Sequence, residues 1–131
     1  MLRVSDLNVF YGRIHALKDV SIDVAKGQIV TIVGANGAGK STLMWTLAGV
    51  LKAKSGSIIY KGKTLPTNTH EVAAGGIILV PERRRLYANL TVKENLMMGA
   101  FLRNDTQGIK HDLEYIYALF PILKERTGQY A

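Results

Sequence analysis

The sequence contains no cysteine among its 131 residues, which excludes disulfides, thiolate metal sites and cysteine nucleophiles. It has no apolar run near the ~20 residues that a membrane-spanning helix needs, and residues 1–7 lack the apolar core of a signal peptide. The hydrophobic content of 47% and the charged content of 21% are those of a globular domain. We therefore expect a protein that stays where it is made and reaches a membrane only through another protein.

Acidic residues are also scarce, at 10 against 17 lysines and arginines, which gives a net charge of +7. Such an excess attracts phosphates, nucleic acid or acidic lipid. Because the basic residues are spread along the whole sequence, a solvated basic surface is the simpler explanation.

The hydrophobic pattern predicts a mixed α/β fold, with early antiparallel strands followed by strand–loop–helix units. Strands are expected at residues 2–10, 20–24, 28–33 and 58–60, with a turn at 55–57 and a second apolar run at 77–80. Helices are expected at 41–51, 67–74 and 92–102, and around 113–120, with a polar loop at 104–108. Thr91 and Glu94 have the spacing of a capping box. The three histidines are interpreted as structural or surface residues, and Met97 and Met98 as core.

Residues 34–41, Gly-Ala-Asn-Gly-Ala-Gly-Lys-Ser, fit the phosphate-loop motif G-x-x-x-x-G-K-[ST] (Walker A) at every fixed position. Glycines let backbone N–H groups turn inward around a phosphate, and the following helix adds its positive end. Lys40 is positioned to reach the β- and γ-phosphates, and the Ser41 hydroxyl to ligate Mg²⁺. Thr42 can add a donor near the α-phosphate. The predicted ATP-binding residues of the loop are Gly34, Asn36, Gly37, Ala38, Gly39, Lys40, Ser41 and Thr42.

The surroundings of this loop distinguish between kinds of P-loop protein. Across its whole length the sequence resembles the nucleotide-binding subunits of ABC transporters, in Tyr11-Gly12 and in residues 34–42, 55–58 and 90–96. Residues 78–86 are similar to the LivF-type subunit of branched-chain amino acid importers. That group typically reads V-P-E-G-R-R here, whereas this sequence has Arg83 at the glycine position.

The resemblance implies roles for two residues outside the loop. Tyr11 would stack on adenine, where a flat ring adds offset-stacking energy. Glu82 would occupy the Q-loop position, where its carboxylate approaches Mg²⁺ directly or through water. Without the resemblance, they would be interpreted as a strand-edge tyrosine and an exposed glutamate.

Arg83, Arg84 and Arg85 have three possible interpretations. In the family this segment lies near the membrane subunit, so the arginines would pair with acidic groups or helix C-termini of that partner. Contact with nucleic acid has no supporting motif. A solvated loop is the third interpretation.

The resemblance also implies a domain plan. The chain would be the N-terminal part of one nucleotide-binding domain, a P-loop NTPase core with an N-terminal antiparallel β subdomain, incomplete at its C-terminal side. It would contain the Walker A segment at 34–42, the Q-loop region at 80–90 and the start of a helical subdomain at about 92–126. The sequence has no signature segment, no apolar strand ending in Asp-Glu and no switch histidine. We therefore expect it to bind ATP with Mg²⁺ but to hydrolyse it negligibly, with the catalytic residues unknown.

The implied partners are a second ATP-binding subunit, in a homo- or heterodimer, and membrane permease subunits. They would hold the protein on the cytoplasmic face of the cell membrane, without direct nucleic-acid contact. Two alternatives stay open, a short P-loop module that binds nucleotide without hydrolysing it, and a soluble ABC-type protein acting on nucleic acid. The choice of branched-chain amino acids as cargo rests wholly on the resemblance.

Overall fold

The structure, a computed structural model, describes residues 1–82 and 85–131. The chain divides into two compact units, Met1–Val80 and Pro81–Ala131.

A four-stranded antiparallel sheet is the main feature of the first unit. Its strands are β1 (Leu2–Tyr11), β2 (Ile14–Val24), β3 (Ser55–Tyr60) and β4 (Lys63–Thr64), in the order β2-β1-β3-β4. The turn between β3 and β4 has positive φ at both Lys61 and Gly62, as a type I′ two-residue hairpin turn requires. The predicted antiparallel β subdomain is therefore confirmed, although β2 begins six residues earlier than predicted.

The core of this unit lies between the sheet and α1 (Lys40–Leu47). Its buried members are Val4, Leu7, Val9, Leu17 and Leu43. Val4 and Leu7 are three residues apart and yet both buried, because the register of β1 shifts between them and Asp6 has φ +48. Such a register shift resets the alternation of the strand, as a β-bulge does.

A glycine lies within two residues of the last residue of each helix in the first unit. The predicted helix at 41–51 is shorter, since α1 stops at Leu47 and Gly49 follows with φ +74. The second helix, α2 (Thr69–Ala74), begins at Asn68, whose side chain accepts a hydrogen bond from Glu71 N at 2.9 Å. Gly76, with φ +99, lies just beyond the end of α2, as predicted.

The strand prediction for residues 28–33 is wrong, and the apolar run at 77–80 is also irregular. A strand needs a hydrogen-bonded neighbour, and none of the four strands in the described part of the chain lies alongside either run. Ile29 and Val33 are 98% and 88% exposed. The predicted turn at 55–57 is wrong as well, because these residues belong to β3.

The second unit contains α3 (Val92–Met98), α4 (Thr106–Leu119) and α5 (Pro121–Glu125). The capping box is confirmed, since Thr91 Oγ1 accepts from Glu94 N at 3.2 Å and Glu94 Oε2 accepts from Thr91 N at 2.7 Å. Pro121 lies in the first turn of α5, so the predicted interruption is confirmed.

Three predictions for this unit are wrong, the first being the helix at 92–102, which ends at Met98. Met97 and Met98 are 40% and 43% exposed, so they are not core residues. Residues 106–108 belong to α4 rather than to a polar loop. Arg103 donates hydrogen bonds both to Asp105, which precedes the helix, and to Asp112 within it, which stabilises the beginning of α4 at this position.

Among the described residues, no helix has the length and apolar character that crossing a membrane requires.

Candidate nucleotide-binding site

The predicted phosphate loop connects the irregular run at 28–33 to α1. Gly37 and Gly39 have φ of +83° and +90°, a left-handed conformation that glycine adopts without steric cost. Ala38 N donates to Ala35 O at 3.2 Å. A Cβ atom at Gly34 would lie 3.2 Å from Ala38 Cβ, so the two ends of the loop are close together. The glycine pattern therefore produces a tight loop with backbone groups at its surface.

Lys40, the first residue of α1, folds its side chain back over this loop. Its Nζ donates to Gly34 O and to Ala35 O, both at 2.7 Å. These are charge-assisted hydrogen bonds, which are stronger than neutral ones. They fix the ammonium group beside the loop and account for two of its three protons.

The N-terminus of α1 is favourable for an anion. Gly39 is its N-cap residue, and among the described residues no side chain caps the helix. The first-turn N–H groups of a helix have no intrahelical acceptor, and the helix dipole adds positive potential there. No acidic residue occurs in the first turn. Lys40, Gly39 and this helix end therefore place positive charge and N–H donors on one short segment.

Ser41 and Thr42 follow Lys40 in the first turn. Ser41 is partly buried and Thr42 is buried. Tyr11, at the end of β1, lies with its hydroxyl 3.4 Å from Thr42 Oγ1. This is a contact longer than a typical hydroxyl hydrogen bond. The structure thus brings Tyr11 to the phosphate loop, and its side chain remains partly exposed.

Gly39 makes a contact that the sequence did not indicate. A Cβ at Gly39 would lie 2.6 Å from Leu17 Cδ2 and 3.0 Å from Ala16 O. Both neighbours belong to β2. The sequence gives no sign that Leu17 contacts Gly39, because a buried leucine in a strand is usually only a core residue.

The other predicted site residues belong to the second unit. Glu82 and Arg85 are exposed. Arg83 and Arg84 lie outside the described residues. Across the described parts of the chain, no group of three or more His, Cys, Asp or Glu residues could hold a metal ion. His15 has structural contacts, since its ring stacks on Phe10 with centroids 4.0 Å apart and its Nε2 lies 2.7 Å from Asn8 Oδ1.

Asn95 has a role that sequence reasoning also missed. Its Oδ1 accepts from Tyr87 N at 2.9 Å, and its Nδ2 donates to the carbonyls of Tyr87, Leu90 and Thr91 at 3.0–3.2 Å. One α3 side chain therefore holds the loop that precedes the helix. The only sequence signal was its place within the 90–96 segment.

A comparison with protein families matches residues 17–129 to the model described as ABC transporter. The chain belongs to the ABC transporter family. Within this family, it is 48% identical over its full length to the high-affinity branched-chain amino acid transport ATP-binding protein BraG of Pseudomonas aeruginosa. It is 36% identical over 95% of its length to the probable branched-chain amino acid transport ATP-binding protein LivF of Archaeoglobus fulgidus. It covers 56% and 52% of these two proteins, so the chain spans about half their length.

Solved structures of ABC proteins are similar to nearly all of this chain, which again covers little more than half of theirs. The chain matches the ATP-binding subunit of an ABC transporter with a TM-score of 0.80 and 29% identity, covering 99% of this chain and 54% of the other. It matches a nucleotide-free ATP-binding cassette with a TM-score of 0.79 and 26% identity, covering 100% and 57%. The predicted α/β fold class of ABC type is confirmed.

Proposed function

We propose that this chain binds Mg-ATP through residues 34–42 and supplies the phosphate-binding part of an ABC importer's ATP-binding subunit. The observation that carries the proposal is the position of Lys40. Its ammonium group is held by two loop carbonyls at 2.7 Å, at the N-terminus of α1. A fixed cation next to the positive N-terminal end of a helix is suited to a polyphosphate.

The residues of the loop fit this ligand. Gly37 and Gly39 have the positive φ that turns N–H groups inward. In the proposed site, Lys40 binds the β- and γ-phosphates, Ser41 ligates Mg²⁺ and Thr42 binds the α-phosphate. The metal ion would neutralise phosphate charge. On the resemblance, Glu82 is a further candidate to bind Mg²⁺. Contact with the membrane partner is the role proposed for Arg83, Arg84 and Arg85.

Tyr11 is proposed to bind the base. Its hydroxyl lies near Thr42, while 40% of the residue surface remains exposed, so a ring is available beside the loop. Tyr11→Ala should therefore weaken ATP binding but not the binding of inorganic tripolyphosphate, which has no base. Tyr11→Phe keeps the ring and is the matched control. Equal losses for ATP and tripolyphosphate in Tyr11→Ala would contradict the assignment.

The printed names of the BraG and LivF relatives support branched-chain amino acid uptake as the process that this subunit serves. In that process the chain acts with a second ATP-binding subunit and with permease subunits, at the cytoplasmic face of the membrane. The sequence holds the phosphate loop but no group that would position the attacking water. We expect phosphate release by these 131 residues to be negligible.

Calorimetric titration with Mg-ATP tests the proposal. Lys40→Ala removes at least one charge-assisted contact of about 1.5–3 kcal/mol, so the affinity should fall at least roughly 10- to 150-fold. Lys26→Ala, which removes an exposed lysine from a turn of the same unit, is the control for net charge. Unchanged affinity in Lys40→Ala, or an equal loss in Lys26→Ala, would show that the loop is not the phosphate site.

A further inference from the structure

The β1–β2 hairpin contacts the phosphate loop at two separate points. At one, Tyr11 lies against Thr42 in the first turn of α1. At the other, Leu17 and Ala16 O lie against Gly39, so closely that there is no room for a Cβ atom. The second contact involves only apolar and backbone groups.

The contact at Gly39 has consequences for Lys40. Gly39 is the N-cap residue of α1 and directly precedes Lys40, whose Nζ must reach the carbonyls of Gly34 and Ala35. A shift of Gly39 away from the sheet would move the start of α1 and the origin of the Lys40 side chain together. Leu17 fills the space next to Gly39, and its burial in the core leaves it little freedom to move.

We propose that Leu17 is a positioning residue for phosphate binding, which holds Gly39 and the N-terminus of α1 at the distance from the Gly34 and Ala35 carbonyls that the Lys40 contacts require. The inference rests on the proposed function of residues 34–42. Leu17 touches no phosphate in this account. It acts through Gly39, and its effect is independent of the base because Tyr11 contacts the loop elsewhere.

The test compares two leucines of the same core. Leu17→Ala and Leu7→Ala each remove the same atoms from one cluster of buried residues, but a Cβ at Gly39 would meet Leu17 and not Leu7. Mg²⁺-tripolyphosphate and Mg-ATP are titrated into both variants and into the unchanged chain by calorimetry, after circular dichroism has confirmed that each is folded. If Leu17→Ala does not fold, Leu17→Val leaves a smaller cavity and serves in its place.

We expect Leu17→Ala to weaken the binding of tripolyphosphate and of ATP by the same factor. The loss should exceed the twofold limit set for Leu7→Ala and stay below that of Lys40→Ala, because the ammonium group is misplaced but not removed. Leu7→Ala should lower the unfolding midpoint similarly and leave both affinities within about twofold, because it changes stability without moving Gly39. Leu17→Met, which conserves volume, should restore binding.

Equal affinities in Leu17→Ala and Leu7→Ala would overturn the inference. A loss of ATP affinity without a loss of tripolyphosphate affinity would also overturn it, since the effect would then concern the base. The unchanged chain and Lys40→Ala are titrated alongside. If these two bind tripolyphosphate equally, or not at all, the proposed phosphate site itself fails, and that result is distinct from either outcome for Leu17.

Discussion

Replacement of Gly39 by alanine tests how closely residues 34–42 pack against β2. The backbone angle of Gly39 and the distances to its neighbours set the expected loss of stability. Gly39 has φ +90°, and a side chain in the left-handed region costs about 1–2 kcal/mol. The new Cβ would also lie 2.6 Å from Leu17 Cδ2 and 3.0 Å from Ala16 O. Overpacking of this kind adds about 1–3 kcal/mol. The free energy of unfolding of the first unit should therefore fall by about 2–5 kcal/mol.

Gly37→Ala is the matched control, because it changes only the conformational contribution. Gly37 has φ +83°, but a Cβ there would meet nothing within 4 Å, so the expected loss is about 1–2 kcal/mol. Urea unfolding of both variants can be followed through Trp45, the single tryptophan, which lies in α1. We expect Gly39→Ala to be the less stable variant by about 1–3 kcal/mol. Equal stabilities would refute the close contact between β2 and the loop.

The second unit gives two further predictions. Thr91 N–H and hydroxyl donate to Glu94 and hold the pKa of that carboxyl below its ordinary value of 4.5. Stability from this pair is therefore present above pH 4.5 and is lost as the pH falls through the lowered pKa. Glu94→Gln should flatten this acid dependence in thermal unfolding, and an unchanged profile would contradict it. Asn95→Ala should accelerate hydrogen exchange at the Tyr87 amide, whereas Asn95→Asp, which keeps the accepting oxygen, should protect it. Equal exchange at the Tyr87 amide in both variants would show that Asn95 Oδ1 does not hold this amide.

The features that the sequence predicted well are those encoded by short-range chemistry. The capping box needs only Thr91 and Glu94, three residues apart, and both of its bonds form. The phosphate loop likewise follows from glycines at fixed positions, since Gly37 and Gly39 adopt a conformation that other residues avoid.

The features that the sequence did not predict depend on residues far apart in the chain. Gly56 lies in β3 with φ +93°, and a Cβ there would be 2.5 Å from Asp6 O. The glycine thus permits a close approach between strands, although its neighbours have the composition of a turn. Residues 28–33 have the composition of a strand, but strand formation requires a paired neighbour, which composition does not specify.

Around the candidate site, too, the sequence indicates what a short motif encodes and misses contacts between distant residues. The motif alone makes Lys40 and Thr42 candidate phosphate-binding residues. The structure places the Tyr11 hydroxyl 3.4 Å from Thr42 Oγ1, and the role of Tyr11 in base binding is part of the proposal. The contact of Leu17 with Gly39 joins residues 22 positions apart (39 − 17), and no local pattern encodes it.

The most direct test of the central claim is to map where Mg-ATP binds. In a titration followed by ¹H–¹⁵N spectra, the largest amide shifts should occur at Gly37, Gly39, Lys40 and Ser41. A smaller shift should occur at Tyr11, and the same titration of Lys40→Ala should show these changes only at much higher nucleotide concentration. Shifts centred outside residues 34–42, or identical titrations of the two proteins, would contradict the claim that this loop is the nucleotide site.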